Sequence, residues 1–329
     1  MHERRRLIAV LGVLLLGAAG AIVLSLRAGE LQLDLAAVWS ALVDDAGGVS
    51  AAIILELRLP RAVAAFVSGG LLATAGALMQ VLLRNPLADP YILGISGGAA
   101  VGALGAITLG AAAFWIDAMA FAGALTAMLV VFGLAHGDGS WTQTRLLLTG
   151  VIVAAGCGAA VSLMLALAPD TRVMSMLFWM MGDASAAARP WPAVVVLVLA
   201  LLAVMPFARD LNVLARGELT ARALGVRVQR LRIVLYVLAS LLTATAVTLV
   251  GSVGFVGLIV PHLVRLVLGN DQRVLIPAAA LVGGTLLTLA DTAARTMLAP
   301  QQLPVGVLTA MIGVPVFLFL LSRSPRSST

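Results

Sequence analysis

The sequence predicts an all-α integral membrane protein of ten transmembrane helices, read as a single transmembrane domain over 1–329. Three observations carry this reading. Hydrophobic residues fill 61% of the 329 positions and charged residues 11%, whereas soluble domains run near about 45–50% and about 25%. Mean hydropathy is +1.09. Charged residues also punctuate the chain at intervals of roughly 20, the length a helix needs to cross about 30 Å of hydrocarbon.

The spans follow from the gaps between charges. Between Arg6 and Arg27 lie 20 uncharged positions, and between Arg61 and Arg84 there are 22. Gaps of 27, 20 and 24 separate Asp89 from Asp117, Asp117 from Asp138, and Arg145 from Asp170. Arg189 to Arg209 leaves 19, and Arg232 to Arg265 leaves 32. The last gap is too long for one helix and divides into two at 251–254, GSVG. The stretches from Arg273 to Asp291 and from Arg295 to Arg323 complete the ten. The first span exceeds the apolar region of a cleaved signal peptide and is kept as an anchor.

Orientation rests on arginine. All 21 basic residues are arginine, since the chain has no lysine. With Arg4, Arg5 and Arg6 in the cytoplasm, the inner segments hold 15 arginines and 6 acids, and the outer ones 6 arginines and 9 acids. That asymmetry is the one inner loops carry. Both termini are then cytoplasmic. The pI near 11.1 is read as arginines facing anionic lipid, with no nucleic-acid partner. The missing lysine excludes a P-loop, whose lysine reaches the nucleotide phosphates, and Schiff-base chemistry.

The polar features sort by position. The longest polar stretch, 209–232, carries six arginines and two acids. It reads either as a solvated basic loop against lipid or as a docking surface for a soluble partner. Glu218 to Gly225 spans about two turns, with Gly225 as a helix stop. On the outer side, where arginine is disfavoured, stand Arg58 and Arg61 around Pro60, and Arg295. Arg295 is expected to pair with Asp291 at i+4, or the outer arginines to hold an acidic partner or anionic ligand. Span three carries small residues at 94, 98, 102, 106 and 110, a stripe for close packing. The segment 173–182, VMSMLFWMMG, is too short to cross and reads as re-entrant or interfacial. Its four methionines are apolar filler.

Little supports chemistry within the chain. His2, His136 and His262 share no metal-ligand spacing, and His262 is expected to serve the carbonyl freed beside Pro261. Cys157 reads as a packing residue. No catalytic grouping stands out, so the chain is expected to be no enzyme and to need no cofactor or metal. Asp291 is the one carboxylate placed inside a span, so no proton or ion relay is evident. A transporter of this kind draws its energy from outside the chain. A self-sufficient secondary transporter is the competing class.

Four strings carry a resemblance. LRLPRAVAAFVSGGLLATAGALMQVLLRNPLADPYILGISGGAAVGA (57–103), GELTARALG (217–225), GSVGFVGLIVPHLVRLVLGNDQRVLIPAAALVGG (251–284) and LPVGVLTAMIGVPVFLFLL (303–321) resemble the FecCD/BtuC-type permease subunits of bacterial ABC importers. Those importers carry haem, ferric siderophores or cobalamin. The resemblance implies a type II ABC importer permease, with an internal pseudo-repeat relating spans two to five and seven to ten. It implies a homodimer, a separate ATPase dimer that hydrolyses ATP, and a periplasmic substrate-binding protein. Within 209–232 it marks Arg216, Gly217, Glu218, Ala221, Arg222 and Gly225 as the ATPase coupling segment. It marks Arg58, Arg61 and Arg295, the first two in the periplasmic segment 27–60 and its edge, for docking of the binding protein. Thr142, Gln143 and Thr144 fall at the family's cytoplasmic gate, and 173–182 at its periplasm-facing helix. An iron complex, haem or ferric siderophore, is the expected cargo, with cobalamin the alternative.

Overall fold

The computed structural model describes residues 2–29, 31–43, 48–135, 142–187 and 189–323; His136 and Arg326 lie outside them. In chain order the described helices are α1 (His2–Arg27), α2 (Leu35–Val43), α3 (Val49–Ala52), α4 (Leu59–Leu82), α5 (Ile95–Thr108), α6 (Ala113–Ala135), α7 (Gln143–Leu167) and α8 (Asp170–Met181). They continue with α9 (Trp191–Val204), α10 (Ala208–Ala215), α11 (Glu218–Ala223), α12 (Val228–Val250), α13 (Val256–Leu268), α14 (Gln272–Thr296) and α15 (Val305–Arg323). Among the described residues seven stretches are long and apolar enough to cross a bilayer, and α5, α13 and α15 are shorter apolar helices, ten in all. The turn between α12 and α13 occupies 251–255, as expected.

The helix at the centre is α4, and its composition explains why. Its buried positions include Ala62, Ala64, Ala65, Gly69, Gly70, Ala73, Ala75, Gly76 and Ala77. Lipid tails are as apolar as leucine, so membrane helices associate through close contact of small residues. A β-carbon at Gly76 would fall 1.8 Å from the carbonyl oxygen of Gly257 in α13, and one at Gly69 would fall 2.1 Å from that of Gly283 in α14. Ahead of α4, Ile53–Arg58 winds as a π-helix. Pro60 has no N–H to give the carbonyl four residues earlier, which loosens the winding there.

The glycine stripe of span three divides by position. Gly98 and Gly102 face α6, where a β-carbon would meet the carbonyls of Gly123 and Met119 at 2.4 and 1.9 Å. Gly94 and Gly110 stand just outside the helix with φ of +73° and +70°, and there permit the turns.

Two of the spans are half-helices. At 14 and 13 residues, α5 and α13 reach only about 20 Å at 1.5 Å per residue. Each begins after a left-handed residue, Gly94 in one case and Phe255 in the other. The irregular segments ahead of them meet inside the bundle. The Tyr91 hydroxyl donates to the Val253 carbonyl at 2.9 Å and accepts from the Val253 N–H at 3.1 Å, while Ser96 and Ser252 share a bond of 2.9 Å. Non-helical backbone at membrane depth persists only where its polar groups are satisfied, and one tyrosine satisfies both groups of Val253. The order long, short, long recurs in α4–α6 and α12–α14. His262 does not follow expectation, because its Nδ1 is buried without a partner.

At one end, α2 folds over the close of α1, and Leu26, Val38, Ala41, Ile54 and Ala62 form a small separate core. The other end carries α10 and α11 and most of the arginines. Substitution tests the close packing. Gly102→Val should lower the unfolding midpoint in detergent by the equivalent of about 2–3 kcal/mol of overpacking, while Gly133→Ala, with no atom within 4 Å of the added carbon, should leave it unchanged.

Candidate functional site

At the arginine-rich end, the segment between α10 and α12 is built as a short arm. Gly217, at φ +134°, turns the chain out of α10 and starts α11, and Gly225, at φ +80°, ends it. Ala221 is fully buried and faces the bundle, so within the expected coupling set it seats the arm and does not face outward. Arg216, Arg222 and Gly225 are exposed. Glu218 is bonded at 2.6 Å through one carboxylate oxygen to Arg222 and through the other, also at 2.6 Å, to Arg232 of α12. Partial burial pushes this carboxyl up. Arg232 first and Arg222 second outweigh that and hold it below the ordinary glutamate value. Leu219 and Leu224 stand 84% and 66% exposed. The sequence reading passed over both, although a leucine two residues from the buried Ala221 lies on the opposite side of the turn.

Beside the arm, Thr142 caps α7 by accepting from the Arg145 N–H at 3.2 Å. Gln143 donates to the Leu82 carbonyl at 3.0 Å and accepts from Arg84 at 3.2 Å. Thr144 is exposed. The start of α7 is thereby tied to the end of α4.

The opposite end brings Arg58, Arg61 and Arg295 into the wall of one cavity of about 620 Å³, but their guanidinium groups are differently engaged. Arg58 is 7% exposed. It donates to the carbonyls of Leu26, Arg27 and Leu31 at 2.7, 3.0 and 2.6 Å. Arg295 donates to the Ser25 carbonyl and, at 2.9 Å, to its hydroxyl. The two arginines thus take up the last carbonyls of α1, groups that no helix can satisfy internally. The expected Asp291–Arg295 pair gives way to another. Asp291, 1% exposed, is forked by Arg61 at 2.9–3.1 Å, and Arg61 also donates to Gln302 at 2.7 Å. A pair within four residues is legible in sequence, and one separated by 230 residues is not.

The short helix expected at 173–182 is α8. Its Arg172 donates to the carbonyls of Ile107 and Thr108 at the end of α5. The Asp183 N–H after it bonds the Val250 carbonyl at 2.8 Å. A second cavity, about 830 Å³, opens there with Phe114, Asp117, Phe178, Trp179 and Arg189 in its wall. Among the described residues, no three of His, Cys, Asp and Glu gather as a metal ion would require.

The FecCD transport family matches residues 14–323. The chain is 45% identical over 278 residues to the cobalamin import system permease protein BtuC of Halobacterium salinarum, covering 82% of this chain and 73% of that protein. It is 39% identical over 331 residues to the hemin transport system permease protein HmuU of Yersinia pestis, covering 96% and 94%. Among solved structures it superposes on an inward-facing metal-chelate type ABC transporter with a TM-score of 0.82 and 30% identity, over 97% of this chain and 100% of that one.

Two substitutions probe the pairs. Asp291→Asn should strand the Arg61 guanidinium and cost about 3 kcal/mol or more in thermal unfolding, with much of it recovered when Arg61→Met and Asp291→Leu are combined. Glu218→Gln should weaken the hold of α11 on α12. The folded carboxyl titrates below its unfolded value, so the pair stabilises fully above the ordinary 4.5 and its contribution fades as pH falls through the lower folded value. The gap in unfolding midpoint between wild type and Glu218→Gln should therefore hold from about pH 7 to about pH 5 and close below that.

Proposed function

The chain belongs to the FecCD transport family, and from that premise we propose that it is the membrane permease of an ATP-driven importer whose cargo is a bulky metal chelate. It is an ABC importer permease, and such permeases work with an ATPase and a binding protein. The observation that carries the reading is the contrast between the two ends of the bundle. One presents a short, glycine-bounded arm, and the other a cavity walled by three arginines.

In this reading the arginine-rich end faces the cytoplasm. A dimer of separate ATPase subunits grips α11, with Leu219 and Leu224 as apolar anchors, while Glu218 transmits the pull to α12 through Arg232. Thr142, Gln143 and Thr144 form the gate, so that motion of the arm reaches the start of α7. A periplasmic binding protein docks over the cavity at the other end. Arg61 and Arg295 are the arginines that meet its acids, and Arg58 holds α1 in place behind them. A second copy of the chain completes the pathway along the exposed faces of α7 and α15. ATP is hydrolysed by the partners, in keeping with a chain without lysine.

The cargo is an iron complex, haem or a ferric siderophore, a reading supported by the likeness to the hemin permease. A second reading, cobalamin, is favoured by the higher identity to the Halobacterium permease. Reconstitution tests both. Proteoliposomes holding the chain, its ATPase and its binding protein should accumulate one cargo among haem, ferric siderophores and cobalamin, and only with ATP. Leu219→Ser with Leu224→Ser should abolish uptake by releasing the ATPase, without loss of folded permease. Uptake by the chain alone down a gradient would establish a secondary transporter instead.

A further inference from the structure

The arginine-rich end holds a cleft that shares Arg216 with the coupling segment and lies otherwise outside the docking regions. Its volume is about 490 Å³, and its wall includes Gln80 and Arg84 at the end of α4, Asn212 and Arg216 of α10 and its cap, Arg265 of α13, and Gln272 at the start of α14. One acid, Asp271, stands in the same wall, and it is already engaged. Its Oδ1 accepts from Asn212 Nδ2 at 2.8 Å and caps α14 by accepting from the Arg273 N–H at 3.1 Å. Three guanidinium groups therefore line a space that holds one carboxylate, whose Oδ1 serves the fold. Arg84 bonds a neutral amide oxygen, that of Gln143. Half-buried Arg265 has no ion pair among the described residues.

A second feature points to what would lie there. Gln80 and Gln272 are 3% and 2% exposed, and the side-chain oxygen of each is buried without a hydrogen-bond partner. Gln80 donates its Nε2 to the Leu258 carbonyl at 3.1 Å, which fixes its amide and leaves Oε1 as an acceptor. A buried acceptor without a donor costs about 1–3 kcal/mol, so the cleft is incomplete as it stands. Its unmet needs are an anion for forked guanidinium groups, which suit phosphate, and hydroxyl donors for two amide oxygens.

We propose that this cleft binds a glycerol phosphate unit, the phosphate on Arg84, Arg216 and Arg265 and the hydroxyls on Gln80 and Gln272. The unit has two sources, the headgroup of an anionic lipid at the edge of the bundle and a free phosphate ester. Basic pockets between membrane helices are the usual seats of such headgroups. The site joins the ends of α4, α10 and α13 to the start of α14, so its occupancy would brace the base of the arm.

The test uses the full chain in phosphatidylcholine nanodiscs, titrated with dioctanoyl phosphatidylglycerol, dioctanoyl phosphatidylcholine and sn-glycerol 3-phosphate, with thermal unfolding as the readout. Phosphatidylglycerol should raise the midpoint saturably, and phosphatidylcholine should not. An equal response to glycerol 3-phosphate assigns the free ester, and its absence assigns the lipid. The combined Arg84→Gln and Arg265→Gln variant should bind at least about tenfold more weakly. Should that variant not fold, Arg84→Gln alone, at an exposed side chain, must already weaken binding severalfold. Gln272→Met must weaken it with no change of charge. A midpoint that responds to neither phosphatidylglycerol nor glycerol 3-phosphate, or a response that persists in the arginine variants, overturns the site.

Discussion

Everything in this molecule is arranged around the near-contact of α4 with α13 and α14. Within hydrocarbon the hydrophobic effect that packs soluble proteins has little to act on, and helices cohere by how closely their backbones approach. Gly69, Gly76, Gly257 and Gly283 remove the side chains that would hold the axes apart. With α4 enclosed on most sides, its two ends become fixed points. Arg58 and Arg61 stand at one end, and Gln80 and Arg84 at the other, and the regions of functional interest are built outward from them.

The charged groups follow a second logic. In a chain with so few of them, almost every buried charge is answered by backbone or by an opposite charge. Arg58 and Arg295 close off α1, Arg172 closes off α5, and Arg61 with Asp291 joins α4 to α14 at the end away from the arm. Such engagements are structural first. They also fix the orientation of the guanidinium groups in the free chain, which would lower the ordering cost of any docking there. At the opposite end Glu218 does the same for the arm, because its two oxygens bind one arginine within α11 and one in α12.

Much of the fold was legible in the sequence for a simple reason. Span count depends on charge spacing, and charge spacing is local. The ten spans, the break at 251–254, the short helix at 173–182 and the glycine-bounded arm are all local patterns. What escaped was long-range pairing. Asp291 was matched to Arg295, its neighbour on the helix, because nothing in the sequence marks Arg61 as nearer. Arg58 was grouped with outward arginines because its acceptors, the carbonyls of Leu26, Arg27 and Leu31, lie 27–32 residues away in sequence. The exposed Leu219 and Leu224 looked like ordinary apolar residues in an apolar chain. The reach of Tyr91 to Val253 likewise joins segments 162 residues apart.

That reach has a mechanical meaning. A phenol that gives a bond to a residue's carbonyl and receives one from the same residue's N–H works as a rivet, since turning either segment about its own axis shears two bonds together. The roots of α5 and α13 are therefore stiff with respect to each other, and the halves of the chain are fastened where they would be easiest to hinge. Compliance has to be found elsewhere. It is available in α7, which buries only Leu146, Gly150 and Val161 along 25 residues. A stroke delivered at one end would thus bend α7 while the riveted centre keeps its shape.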